Sequence, residues 1–130
     1  APLPPHERSG RLLMPRRMSC SMTIEQVRSR TKTVTRRATS TWQNLEPGDS
    51  LVLIEKGMGL PKGAKQVELA TVEIVSVTVE PLDAIDYVDC VREGFPHMNP
   101  DEFKAFWLKG HGHASDATGV TCRRIEWRYL

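Results

Sequence analysis

From Val67 to Val79 the chain runs through thirteen residues without a proline or a glycine, and most of them favour extended backbone. Side chains along a strand alternate between its two faces, so one apolar phase marks one buried side. Here Ala70, Val72 and Ile74 keep one phase, and Val75, Val77 and Val79 keep the other. A single strand carries both phases only if a bulge or sharp bend interrupts it near Ile74. Such an interruption turns a strand around a barrel corner.

The remaining segments fit around a strand of that kind. Thr23, Gln26 and Met22 are spaced as an N-cap, its capping-box partner and a hydrophobic staple to Val27, which predicts a short helix to about Arg30. Thr31 to Arg37 is rich in β-branched residues and predicts a strand. Glu46-Pro47-Gly48-Asp49 is a turn signal before the apolar run Leu51 to Ile54, a buried strand. Gly57-Met58-Gly59 opens a Gly- and Pro-rich loop with no helix signal after it, so a lip over a pocket suits it better than phosphate binding. Pro81 opens a helix with Leu82, Ile85, Val88 and Val91 on its buried face and Gly94 at its end. Asn99-Pro100-Asp101-Glu102 starts another, with Phe103, Phe106 and Trp107 buried and Gly110 as its stop. Val120 to Tyr129 closes the chain as a strand with Ile125, Trp127 and Tyr129 on one face. Few alternating strand and helix units occur, so the expected class is α+β: a small mixed β-barrel with helices packed on its outside.

The chain has 130 residues, the usual size of one domain, and 39% hydrophobic with 26% charged residues is an ordinary globular balance. Residues 1–17 form a Pro-rich basic arm in which Arg8, Arg11, Arg16 and Arg17 face only Glu7; Leu12 to Met14 is its one apolar cluster, a short strand. Residues 18–130 form the folded domain. A net charge of +2 is too small to mark a nucleic-acid binder by itself. Cys20, Cys90 and Cys122 are far apart and lack a paired spacing, which argues against a disulfide framework or a zinc site and suits reduced thiols in the cytoplasm. No apolar run is long enough to span a bilayer, and no obligate protein partner is evident.

Thr31 to Arg37 concentrates a lysine, three hydroxyls and two arginines. Charge of that density also blunts an exposed edge strand, so a structural role competes with a chemical one. In a regular strand Lys32 and Thr35 point to opposite faces, so a shared site requires Lys32 to sit in a loop or on a bulge. His97, His111 and His113 form no convincing ligand set, and no metal or cofactor is expected. Trp107 and Trp127 fit core faces, which leaves Trp42, among polar residues, to stack on a base.

The run Lys32-Thr33-Val34-Thr35-Arg36-Arg37 after a short helix, then Leu45-Glu46-Pro47-Gly48-Asp49 and an apolar strand, resembles the signature of the ASCH domain, a PUA-like β-barrel. Val91-Arg92-Glu93-Gly94 and the terminal Ile125-Glu126-Trp127 follow in the same order, so the resemblance covers roughly Met18 to Leu130. Some ASCH proteins resemble small bacterial amidohydrolases that remove the acyl group from N4-acetylcytidine with a Lys, Thr and Glu triad. The resemblance implies catalytic roles for Lys32, Thr35 and Glu93, with Arg36, Arg37, Trp42 and Glu55 as candidate substrate-binding residues. The chain departs from the family pattern at Arg30, where a glycine is usual. The implied partner is a modified nucleoside or RNA. Three functions stay open: an amidohydrolase with a threonine nucleophile, a non-catalytic RNA-binding module that grips phosphates with Arg16, Arg17, Lys32, Arg36 and Arg37, and, with less support for want of paired carboxylates or a histidine pair, a nuclease at the same cleft.

Overall fold

A computed structural model describes residues 16–130. The expected strand at Leu12 to Met14 and most of the basic arm lie outside the described residues. The chain forms β1 (Arg16–Ser19), α1 (Ile24–Arg28), β2 (Val34–Arg37), β3 (Ser50–Ile54), β4 (Glu68–Pro81), a 3-10 turn at Leu82–Ala84, α2 (Tyr87–Arg92), α3 (Pro100–Gly110) and β5 (Thr121–Tyr129). β1 thus straddles the 17/18 boundary drawn from the sequence.

The five strands make one mixed sheet in the order β1-β3-β4-β5-β2, with β1 and β3 parallel and the other pairs antiparallel. β4 is the spine. It pairs with β3 over Glu68 to Glu73 and with β5 over Val72 to Pro81, and its register with β5 shifts between Ile74 and Ser76. The interruption expected near Ile74 is therefore present, and it curls the sheet into a half-barrel. Among the described residues β1 and β2 are the edges. The Arg37 guanidinium bridges them, donating from Nη2 to the Ser19 carbonyl at 2.8 Å.

One apolar cluster fills the curl, with Met18, Leu51, Leu53, Val72, Ile74, Ile125 and Trp127 buried and Val27 of α1 closing it. A second lies where α2 and α3 meet β5 and holds Leu82, Ile85, Phe103, Trp107 and Leu108 with Cys90 and Cys122. Fully burying a large apolar side chain contributes about 1.5 to 3 kcal/mol, so these clusters hold the helices against the sheet.

α3 follows its start signal: Asn99 Oδ1 accepts from the Glu102 amide at 2.8 Å, and Glu102 Oε1 accepts from the Asn99 amide at 3.0 Å. The first two helix starts differ from expectation. Thr23 occupies the N-cap of α1 without a side-chain cap bond, and Met22 is 68% exposed rather than stapled to Val27. Pro81 ends β4 instead of opening a helix, and the 3-10 turn follows. Ile85 is extended (ψ 136°), which breaks the helical phase between Leu82 and Val88. α2 starts afresh at Asp86, whose side chain accepts from the Asp89 amide at 2.8 Å. Val88 and Val91 consequently face outward, while Asp89 and Cys90 face inward.

Candidate active site

Lys32 belongs to the loop before β2, which frees it from strand alternation. Arg30 makes the turn with a left-handed backbone (φ 62°). The amides of Thr31 and Lys32 both donate to the Gln26 carbonyl, at 2.9 and 3.1 Å. The Lys32 carbonyl accepts from Trp127 Nε1 at 3.1 Å and from the Tyr129 hydroxyl. Thr33 donates its amide to the Arg92 carbonyl at 2.8 Å, joining this loop to the end of α2. With its main chain fixed at so many points, Lys32 is held in place before its side chain makes any contact.

Its ammonium group meets Glu93, the C-cap of α2, donating to the carbonyl oxygen at 2.5 Å and to Oε1 at 3.4 Å. Gly94 beside it has φ 97°, and a Cβ there would lie 2.9 Å from Thr23 Cγ2. The absence of that Cβ lets the α2 terminus close onto α1. Thr35 stands in β2, and its hydroxyl oxygen accepts from Arg37 Nε at 3.1 Å. Lys32, Thr35, Arg36, Arg37 and Glu93 all line one cavity of about 680 Å³. It opens at the seam between β1 and β2, with α3 as its far wall. Among the described residues no direct hydrogen bond joins Lys32 Nζ to Thr35 Oγ1.

Burial sets the electrostatics. Desolvation pushes the Lys32 pKa below the ordinary lysine value and outweighs the attraction of Glu93, while the nearby Arg37 charge adds to the lowering. Desolvation also works against the Arg36 cation, but Asp89 and Glu93 overcome it and hold the guanidinium above its usual pKa. Arg36 reaches Asp89 at 2.5 Å, Glu80 at 2.9 Å and Glu93 Oε2 at 3.4 Å. Asp89 resists burial through Arg124 and Arg36, which keep its carboxyl well below the usual carboxylate range. Arg124 Nε lies 2.8 Å from Asp89 Oδ2. An interlocked set of charges therefore orients the Glu93 carboxylate from behind.

The expected site residues separate into two groups. Lys32, Thr35, Glu93, Arg36 and Arg37 come together, with Arg36 spent on three carboxylates rather than open to a ligand. Trp42 and Glu55 do not line the cavity. Trp42 lies under the Arg16 guanidinium (5.5 Å to the ring centroid) and packs on the inner core, and Glu55 pairs with Arg28 at 3.0 Å. The Gly57 loop contributes no residue to the cavity wall and so is not its lip. Among the described residues no group of three or more His, Cys, Asp or Glu is placed to hold a metal ion. His111 and His113 instead stack on Trp107, at 3.7 and 5.8 Å between ring centroids. The sequence reading missed Asp89, which sits four residues before Glu93 on the same helical face, and the α3 wall with Phe95 and Phe106. No helix among the described residues is long and apolar enough to cross a membrane.

No family model matches the chain, and no curated protein is similar to it in sequence. Solved structures do share its fold. A protein from Enterococcus faecalis V583, described as DUF984, superposes with a TM-score of 0.64 at 12% identity over 96% of this chain and 88% of its own. A structure described as a hypothetical protein gives 0.62 at 14% identity over 90% and 100%. An ASCH domain from Lactobacillus crispatus JV V101 gives 0.53 at 13% identity over 82% and 69%. At these identities the likeness is one of fold, and that fold is ASCH-like: a curled five-stranded mixed sheet with helices packed around it.

Proposed function

We propose that this ASCH-like domain is an amidohydrolase that removes the acyl group from N4-acylated cytidine or a related modified nucleoside. An ASCH-like fold is compatible with a hydrolase. The observation that carries the proposal is the burial of Lys32 against Glu93 in the cavity that also holds the Thr35 hydroxyl. A lysine serves as a base only as the free amine, and desolvation lowers the Lys32 pKa and so makes that form more accessible. Lys32 takes the Thr35 proton as Thr35 Oγ1 attacks the acyl carbonyl carbon. Arg37 Nε, already donating to Thr35 Oγ1, favours the deprotonated form of that oxygen as the proton leaves. When the tetrahedral centre collapses, the C–N bond breaks. The cytosine amine leaves with a proton passed from Lys32 by way of Glu93. Water, deprotonated by Lys32, then hydrolyses the Thr35 ester, releasing the carboxylic acid and restoring the hydroxyl. Arg36 acts as a positioning residue for Glu93.

A passive RNA-binding module would need its cations free for phosphate. Arg17 is paired with Glu68, Lys32 with Glu93, Arg36 with three carboxylates, and Arg37 with Thr35 and Ser19. The Arg17 pair is exposed and the Arg37 partners are neutral, so it is the buried pairing of Lys32 and Arg36 that favours the hydrolase.

The test is release of cytidine from N4-acetylcytidine by the purified protein and by Lys32→Ala and Thr35→Ala. Each variant should lose nearly all turnover while remaining folded by circular dichroism. Turnover within about tenfold of the parent in either, a barrier change of only about 1.4 kcal/mol, would exclude the triad.

A further inference from the structure

The cavity lining is of two chemical kinds. Lys32, Thr35, Arg37 and Glu93 supply polar groups. α3 and the loop before it supply Phe95, Phe103 and Phe106, with Lys109 and His111 at the end of the helix. Phe103 is fully buried, and Phe95 and Phe106 pack on it with ring centroids 5.8 and 6.2 Å away. Phe95 and Phe106 are themselves 5.1 Å apart, tilted by 53°, and each keeps part of its surface open. Trp107 is not equivalent to them. Its Nε1 is committed to the Arg36 carbonyl at 3.0 Å, and His111 stacks on its ring.

From this arrangement we infer that Phe95 and Phe106 form a stacking subsite for a planar heterocycle, and that Phe106 determines specificity for the amine half of the substrate. The inference rests on the amidohydrolase proposed above and deepens it. A ligand satisfying both kinds of lining carries a polar, hydrolysable amide at one end and a flat body with apolar faces next to it. An N-acylated amino-heterocycle has that form. The cavity, at about 680 Å³, falls within the range that accommodates a ligand of nucleoside size and exceeds what a small acyl amide fills. Base-on-aromatic stacking tolerates different bases because every base presents a π-face, so the subsite selects flat heterocycles as a class. The two tilted rings make a rigid platform, since each was already ordered by packing on Phe103.

An apolar wall could instead hold the acyl chain, and the test separates these occupants. Phe106→Leu keeps the packing on Phe103 but removes the π-face, and its melting temperature relative to the parent reports whether the fold survives. Hydrolysis of N4-acetyl-, N4-butyryl- and N4-hexanoylcytidine is followed for parent and variant. The expected result is a KM about tenfold higher for the variant, alike for all three acyl groups, with kcat changed far less. An unchanged KM, or a penalty that grows with acyl length, would overturn the subsite. Calorimetric titration with cytidine itself provides the second arm. If the parent hydrolyses none of the three, the amidohydrolase fails, yet cytidine binding by the parent that Phe106→Leu loses would still support the stacking subsite. Equal binding of cytidine by both proteins, or by neither, would remove it.

Discussion

An ammonium group is an unfavourable thing to bury, and Lys32 is 3% exposed with Glu93 as its one carboxylate partner among the described residues. Its lowered pKa is the consequence, and two pH effects follow. The turnover rate should climb with pH along a limb whose midpoint lies below the ordinary lysine value of 10.5, because only the free amine can accept the Thr35 proton. Stability should respond with a definite sign. Between the folded and unfolded pKa values of Lys32 the unfolded chain binds more protons, so unfolding free energy rises with pH across that window. Lys32→Met removes this rise. Urea unfolding of parent and variant at a series of alkaline pH values checks it; a parallel pH dependence in the two proteins would mean that Lys32 titrates normally. The resemblance to the ASCH signature, through Lys32-Thr33-Val34-Thr35 and the separate segment Val91-Arg92-Glu93-Gly94, singled out Lys32, Thr35 and Glu93, which meet at one cavity. Asp89 and Arg124, which fix the charges behind Glu93, were not, since their meeting depends on the approach of α2 to β5. Trp42 and Glu55 were misplaced for a related reason. A polar neighbourhood in sequence says little about which surface a side chain finds, and both found partners away from the cavity.

At the level of the elements, the start of α3 and the stop at Gly94 were readable from local chemistry, whereas the starts read at Thr23 and Pro81 and the phase of α2 were not. Asn99, Pro100 and Glu102 complete a capping box within four residues, and α3 begins there as expected. The apolar spacing of Leu82, Ile85, Val88 and Val91 also fits one helix. The extended backbone at Ile85 lets Leu82 and Ile85 pack beneath while α2 turns Asp89 toward Arg36. Tertiary packing overrode the periodic pattern. Gly94 was read correctly as a stop, and its positive φ and tight approach to Thr23 explain why glycine is needed. Gly94→Ala should cost about 2 kcal/mol, the usual strain of a non-glycine residue in that conformation, and more if Thr23 fails to yield. Because Glu93 is the adjacent residue, turnover should fall as well. Chemical denaturation and the N4-acetylcytidine assay measure the two effects; a variant as stable and active as the parent would show that the α2 terminus tolerates repositioning.

For the whole molecule, the interruption of β4 near Ile74 was legible from its phase switch, although of the second phase only Val77 packs on the core while Val75 and Val79 are exposed. The seam was not legible. Which strands remain as edges depends on long-range pairing, and here a parallel β1–β3 contact at one end and an antiparallel β2–β5 contact at the other leave the gap that becomes the cavity. Arg37 ties that gap together by reaching Ser19 while also touching Thr35, so closure of the half-barrel and orientation of the proposed nucleophile share one side chain. In the proposed reaction Thr35 carries the acyl group. Acid quenching of the parent protein during turnover of N4-acetylcytidine, followed by intact-mass measurement and peptide mapping, tests it most directly. The account predicts one acetyl group esterified to Thr35 and none on Thr35→Ala. An acetyl group on the Lys32 amine, or undiminished cytidine release by Thr35→Ala, would contradict it.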